Sequence, residues 1–199
     1  SGGSVLSLEP PVAGAKLGHE VSVYGWGIEK ETGQAYWRVR NSYGSHWGDS
    51  GHAQISAAKD GGLATDCSWG VPRLSTPPAK VRTGESISDP KRRHQRPTAR
   101  RGRLARRTRP RRPSVVRAPL PQDYISDEDV PASYDTRSIL GQDYTTVSRS
   151  QNIPHACGSC WIQASVSAVS DRIKLMRRAA FPEVVLAAQV ALDCANQNA

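Results

Sequence analysis

The sequence predicts an α+β chain in three compositional parts. Three observations lead there. Short runs of β-branched and aromatic residues, broken by glycine, fill the first 72 residues. An apolar stripe at helical spacing runs through the last 80 or so. Between them lies a stretch of basic residues and prolines with no apolar periodicity.

The strand-rich part, 1–72, contains Val21, Val23 and Tyr24 beside Gly25-Trp26-Gly27, then the partly alternating Tyr36-Trp37-Arg38-Val39-Arg40. A hairpin turn is expected around Gly33, and a third strand over Ala53-Gln54-Ile55 after the Gly48–Gly51 turn. The middle part, 73–120, is rich in Pro, Arg, Ser and Thr. Such a composition buries too little apolar surface to offset the entropy of ordering, so a disordered linker is expected. In the last part, 121–199, Ile162, Val166, Val169, Ile173 and Met176 recur every three or four residues, the mark of one helix face. Asp171, Arg172, Lys174 and Arg178 are expected mainly on the opposite face. Pro182 is expected to open a second helix running to Leu192, since proline is well tolerated at a first helical position. Both apolar stripes read as ordinary core packing.

The net charge of +9 is unevenly distributed. Residues 91–117 carry 13 of the chain's 27 Lys and Arg and no Asp or Glu. The remaining 14 basic residues face 18 acidic ones, a net of −4. The basic segment has three readings: weak, salt-sensitive binding to an anionic partner such as nucleic acid or acidic membrane, exposed cleavage sites such as Arg106-Arg107, or a solvated linker. With no aromatic residue but His94 available for stacking, any nucleic-acid contact there would be non-specific. No run approaches the roughly 18 apolar residues that span a bilayer, so no membrane span is expected. The opening Ser1-Gly2-Gly3-Ser4 has neither Met nor a signal pattern, so the chain is expected to begin inside a longer protein or to lack its targeting segment.

Four cysteines are present: Cys67, Cys157, Cys160 and Cys194. Cys157-Gly158-Ser159-Cys160-Trp161 is a C-x-x-C string that suits half a zinc site, a redox pair, or a structural cysteine beside a nucleophile. No second Cys/His pair stands at ligand spacing, so a metal is not expected. Cys160 sits at the start of the expected helix, where the partial positive charge of the helix end favours a thiolate. The small Gly158 and Ser159 beside it let backbone N–H groups approach a substrate closely.

The string around Cys160 resembles the nucleophile segment of papain-like cysteine peptidases. Three further blocks are similar to that family: Gly18-His19-Glu20 through Gly27, Tyr36 through Gly51 with Asn41 inside it, and Leu186-Ala187-Ala188-Gln189 through Asp193-Cys194. The resemblance implies a papain-like two-domain fold, one domain helical and carrying Cys160, the other β-barrel-like and carrying His19 and Asn41. It implies a peptide or protein substrate in the groove between them, no cofactor, and a lysosomal or extracellular setting. It assigns Cys160 as nucleophile, His19 as base, Asn41 as the group that orients the imidazole, and Gln151 as oxyanion donor. Tyr43 stands where the family shields the His–Asn bond with tryptophan, and Trp47 would line the groove with Trp161.

The nine positions from Gln151 to Cys160, with Ile153-Pro154 between, are similar to the cathepsin X (also called cathepsin Z) branch, as are Gly25-Trp26-Gly27-Ile28 and Asp171-Arg172-Ile173. In that branch a histidine in this insertion binds the substrate's terminal carboxylate. Here Asn152 holds that position, and His155 is the histidine nearby.

The block order is reversed relative to the family, with His19 and Asn41 preceding Cys160. On the order of a hundred residues that normally separate the blocks are missing. The chain therefore reads as an incomplete, permuted arrangement, or as the junction of two tandem units. The family pairs the counterparts of Cys157 and Cys194 with cysteines that would lie beyond Ala199. From another functional class comes the reading of an inactive fragment or pseudo-enzyme whose Arg-rich segment binds anionic partners.

Overall fold

The computed structural model describes residues 4–14, 16–65, 67–72 and 124–194. The expected linker and the basic run 91–117 lie outside them. The chain divides into two compact units, Ser1–Arg73 with Val130–Ala199, and Leu74–Asp129. In the second, the described residues form a 3-10 turn at Asp127–Asp129, where Ser126 Oγ donates to Asp129 Oδ2 at 2.7 Å.

The first unit is built on one sheet. Its strands are β1 (Leu6–Leu8), β2 (Ser22–Ile28), β3 (Ala35–Arg40), β4 (His52–Asp60) and β5 (Tyr134–Asp135). Their spatial order is β1-β4-β3-β2-β5, with β1 parallel to β4 and the other pairs antiparallel. The β2–β3 hairpin turns at Gly33, whose φ of 71° places it in the left-handed region open to glycine. Trp26 faces Trp37 and Ile28 faces Ala35 across it. The third strand is longer than the expected Ala53–Ile55, because β3 pairs with it from His52 to Ser56 and β1 pairs with Asp60 at its far end.

Two strands carry no sequence signal. β1 is three residues long and exposed. β5 is two residues long and is held by position: Tyr134 pairs with Trp26 and stacks on its ring at 5.1 Å, and Asp135 pairs with Gly25. A Cβ on Gly25 would collide with the Tyr134 carbonyl, so the close approach of β5 depends on that glycine.

Helix α1 spans Cys160–Met176 and α2 spans Ala188–Cys194. The expected stripe turns inward except at its end, with Val169 half-buried. Ile162, Val166 and Ile173 are buried, whereas Met176 at the helix end is 47% exposed. Asp171 departs from its expected place on the solvent face: it is buried and ion-paired with Arg40 of β3 at 2.7 Å. The second helix also departs from expectation, starting at Ala188 and not at Pro182. Backbone groups before it are held by tertiary partners: Leu186 N–H donates to Ser170 Oγ (3.0 Å) and Leu186 C=O accepts from Arg149 Nη2 (2.6 Å). Ile162 and Val166 of α1 pack with Ala188, Leu186, Ala191 and Leu192 to form the helical core. Tyr24, Tyr36, Val39 and Ile55 are the buried apolar residues of the sheet.

The helical half is tied to the sheet by polar groups. Arg40 and Asp171 are 2% and 6% exposed. Arg40 also donates to Thr146 C=O (2.7 Å), and Asp171 Oδ1 accepts from both Thr146 N–H and Thr146 Oγ1 (2.7 Å each). Buried charges persist only when paired and hydrogen-bonded in this way. Thr136 Oγ1 adds a bond to Tyr24 C=O at 2.6 Å.

Candidate active site

The strand half supplies an imidazole and a carboxamide. His19 lies just before β2, and Asn41 directly follows β3. His19 Nε2 and Asn41 Oδ1 are 2.8 Å apart. Asn41 is buried; its N–H donates to Gly51 C=O (2.9 Å), and its Oδ1 also accepts from Ser42 N–H (2.7 Å). The amide is therefore fixed before it meets the imidazole, and the His19 nitrogen facing its oxygen carries the proton. The other ring nitrogen is left to accept. The Tyr43 ring lies against His19, 5.0 Å between centroids and tilted 30°, and Trp47 meets Tyr43 edge-on at 6.1 Å.

The helical half supplies a thiol and a second amide. Cys160 is the first residue of α1, half-buried, with Ser159 as N-cap. Trp161 is 40% exposed. The turn before the helix is pinned to Gln151: Cys157 N–H donates to Gln151 C=O (3.1 Å), and Gln151 Nε2 donates to Cys157 C=O (2.8 Å). A primary amide has two N–H donors, so one remains for a ligand. Ser159 is buried and its N–H bonds to Cys157 C=O (2.8 Å), whereas Gly158 is exposed with open space beside it. Asn152 and His155 sit in the exposed loop between Gln151 and Cys157.

The halves meet at Ser42, which the sequence reading passed over. Its hydroxyl donates to Gln151 Oε1 (2.6 Å), and its C=O accepts from Gln151 N–H (2.8 Å). Gly44 N–H bonds to Arg149 C=O (2.8 Å), and Tyr43 bridges Ser150. Thus His19, Asn41, Ser42, Gln151 and the Cys157–Cys160 turn form one connected chain of contacts. No direct hydrogen bond joins His19 to Cys160 among the described residues. The signal for Ser42 lay in its position beside Asn41, but nothing in the sequence names a partner 109 positions away.

The charged surroundings are asymmetric. Burial pushes Asp171 above the ordinary carboxylate range, opposed by Arg40 and the Thr146 hydrogen bonds. Burial, then Arg137 and Arg40, push His52 down to about 4. Its Nδ1 is buried without a partner, and its ring meets Tyr24 edge-on at 5.1 Å. A cavity of about 390 Å³ opens at the hairpin end of β2 and β3, walled by Trp26, Ile28, Trp37 and Pro131. His19 and Asn41 stand at the opposite end of those strands, so that cavity is not their groove. No group of His, Cys, Asp and Glu suited to hold a metal occurs among the described residues, and no helix among them is long and apolar enough to cross a membrane.

Comparison with known proteins identifies the family. The chain is 45% identical to a cathepsin Z of Onchocerca volvulus over 69 residues, 35% of this chain and 22% of that protein. It is 39% identical over 69 residues to cysteine proteinase EP-B 1 of Hordeum vulgare, covering 32% of this chain and 18% of the other. Cathepsin L2 of Homo sapiens is 36% identical over 70 residues, 33% of this chain and 21% of that protein. Each match therefore spans about a fifth of the relative's length. The family model described as papain family cysteine protease matches residues 3–71 and 130–199, the two blocks that form the first compact unit. Those blocks make up more than half of the sequence, and the chain belongs to the papain family of cysteine proteases with an α+β papain-like fold.

Proposed function

We propose that this chain carries cysteine-type peptidase chemistry on peptide or protein substrates, with Cys160 as nucleophile. The observation that carries the reading is the 2.8 Å His19–Asn41 bond, linked through Ser42 and Gln151 to the turn that presents Cys160. His19 takes the proton from Cys160, and the sulfur attacks the scissile carbonyl carbon. The developing oxyanion is met by the free N–H of Gln151 and the backbone N–H of Cys160. The imidazolium returns its proton to the leaving amine, and water then releases the acyl group from sulfur.

Three finer readings belong to the same proposal. The two blocks work as a permuted arrangement, in which the strand half precedes the helical half in sequence yet completes the same site. The contacts of Arg40 with Asp171 and of Ser42 with Gln151 support this over a junction of two independent units. Removal of single residues from a substrate's C-terminus would rely on His155, because Asn152 donates a hydrogen bond without a full charge. The setting is lysosomal or extracellular, following the cathepsin names among its relatives.

Titration with a thiol-reactive peptide electrophile tests the function. Labelling at Cys160 is expected to slow by about 10²–10⁴ in His19→Ala, the usual contribution of a positioned base. Equal labelling of both proteins would mean an inert thiol and would sink the reading.

A further inference from the structure

We propose that His52 is a positioning residue for the His19–Asn41 pair, and that its protonation in mild acid frees that pair. His52 opens β4, and its N–H and C=O bond to the C=O and N–H of Asp49 (3.0 and 2.9 Å). Gly51, one residue earlier, accepts the Asn41 N–H (2.9 Å) and donates to Trp47 C=O (2.7 Å). Asn41 Oδ1 in turn meets His19 Nε2 at 2.8 Å. The orienting amide therefore hangs from the residue next to His52.

The turn has little slack to absorb a movement of His52. Gly51 has a φ of 92°, and a Cβ there would stand 2.8 Å from Ser148 Oγ. Gly48 has a φ of 57°, and a Cβ there would collide with His52 C=O. Only glycine at both positions lets the turn close so tightly. Ser148 Oγ donates to Ser50 C=O at 3.2 Å and lies 3.5 Å from His52 Nε2. A hydroxyl has one hydrogen, so the imidazole nitrogen facing it carries the proton and Nδ1 is bare. Nδ1 is already enclosed by the described residues, none of which bonds to it. A proton added there becomes a charged donor that no further group can reach without displacing those neighbours.

The groups around the ring oppose that charge. Tyr24 of β2 meets it edge-on at 5.1 Å and is itself neutral, its hydroxyl pushed up to about 12, first by burial. Arg40 stands opposite it on β3, and Arg137 of the Thr136–Ser138 turn lies over the Tyr24 ring at 5.0 Å. Asp49 and Asp143 act the other way, while Asp171 and Asp135 pair with the two arginines. The net result is a ring held neutral down to about 4, first by burial and then by Arg137 and Arg40. In an opened turn the same ring takes up a proton near 6.5. Acid thus favours the open turn, in which Gly51 releases Asn41 and the His19 imidazole loses its orientation. The catalytic consequence rests on the proposed function; the hold on Asn41 does not.

The test is amide hydrogen exchange of the whole chain, beside labelling of Cys160 by a peptide electrophile over the same pH range. Asn41 N–H should exchange through an opening smaller than that of the whole unit, so its protection should lie below that of Ser170 N–H inside α1. After correction for the intrinsic rate, that protection should fall by about tenfold per pH unit as pH drops from 6.5 toward 4. In His52→Phe, which keeps an aromatic ring against Tyr24, the fall should vanish. His52→Gln keeps a polar group beside Ser148 without titrating, and gives the same reading if the phenylalanine variant does not fold. The wild-type labelling rate should drop more steeply in this window than that of either variant. The proposal is overturned if Asn41 and Ser170 are equally protected at every pH, or if the fall persists in the variants. Labelling unchanged in His19→Ala, with exchange as expected, would sink the peptidase reading and leave the hold of His52 on Asn41 standing. Labelling that needs His19, over an Asn41 amide indifferent to pH, would do the reverse.

Discussion

The two sides of the candidate site are held in different ways. On the strand side, Asn41 is buried and its backbone and carboxamide are bonded before it meets His19. On the helix side, residues 152–158 are exposed, and the turn is bonded to Gln151 through both the N–H and the C=O of Cys157. Under the proposed function, a fixed imidazole and a more adaptable thiol loop suit chemistry in which the imidazole must keep one orientation while substrates vary. The joint between the two sides is where variants should separate them.

The largest effect should come from that joint. Asp171→Ala leaves the Arg40 guanidinium buried without its anion, which costs about 3–5 kcal/mol in comparable buried pairs. Urea denaturation should show that loss as a lower midpoint, or as failure to accumulate folded protein. The double replacement Arg40→Met with Asp171→Leu should recover much of it, because no uncompensated charge remains. If Asp171→Ala costs no more than an ordinary surface change, the two sides are not joined through this pair.

A smaller effect is expected from pH. His52 is held neutral in the folded chain down to about 4, while in the unfolded chain it takes up a proton near 6.5. Between these values the unfolded chain binds the extra proton, so stability falls as pH drops from 6.5 toward 4. Allowing for solvent screening of a half-exposed ring, the loss is about 1–2 kcal/mol. Arg137 and Arg40 oppose protonation beside Tyr24, and Asp49 and Asp143 weakly favour it. In His52→Phe the slope across this window should flatten, as read from thermal or urea midpoints at several pH values. An unchanged slope would place the acid sensitivity elsewhere.

Much of this was legible in the residues themselves. β2, β3 and α1 carry their own patterns, and His19, Asn41, Gln151 and Cys160 stood out by type and by the strings around them. What escaped depends on partners distant in sequence. β5 is too short to have a pattern and exists because β2 offers Gly25 and Trp26 as an edge. Asp171 reads as a surface charge until Arg40, 131 positions earlier, is brought against it. The start of α2 moved because Ser170 and Arg149 take up the Leu186 backbone groups that a longer helix would have used. A helix pattern says which residues share a face; it does not say which charge will cross the interface.

Ser42 probes the same joint more gently. Ser42→Ala removes the donor to Gln151 Oε1 while keeping the backbone bond from Gln151 N–H. The stability cost should be about 1 kcal/mol, the usual net value of one such bond. A freed Gln151 carboxamide can rotate away from the oxyanion position proposed for it. Labelling of Cys160 by a peptide electrophile should therefore slow more than stability alone would explain, and Ser42→Thr should restore part of the rate. Equal rates in Ser42→Ala and wild type would mean that Gln151 is oriented by Cys157 C=O without help.

The smallest stability effects belong to the exposed loop. Asn152→Ala and His155→Ala should each lie within about 0.5 kcal/mol of the wild type, as surface changes do. Their consequence should appear in selectivity. If His155 meets a terminal carboxylate, its removal lowers cleavage of peptides with a free C-terminus severalfold and leaves C-terminally amidated peptides unaffected. Asn152→His should shift preference the other way, since an imidazolium adds the charge that asparagine lacks. Parallel changes on both substrates would mean that the loop shapes the groove without reading the substrate's end. The adaptable side would then be adaptable only in form, and the contrast with the fixed imidazole would carry no specificity.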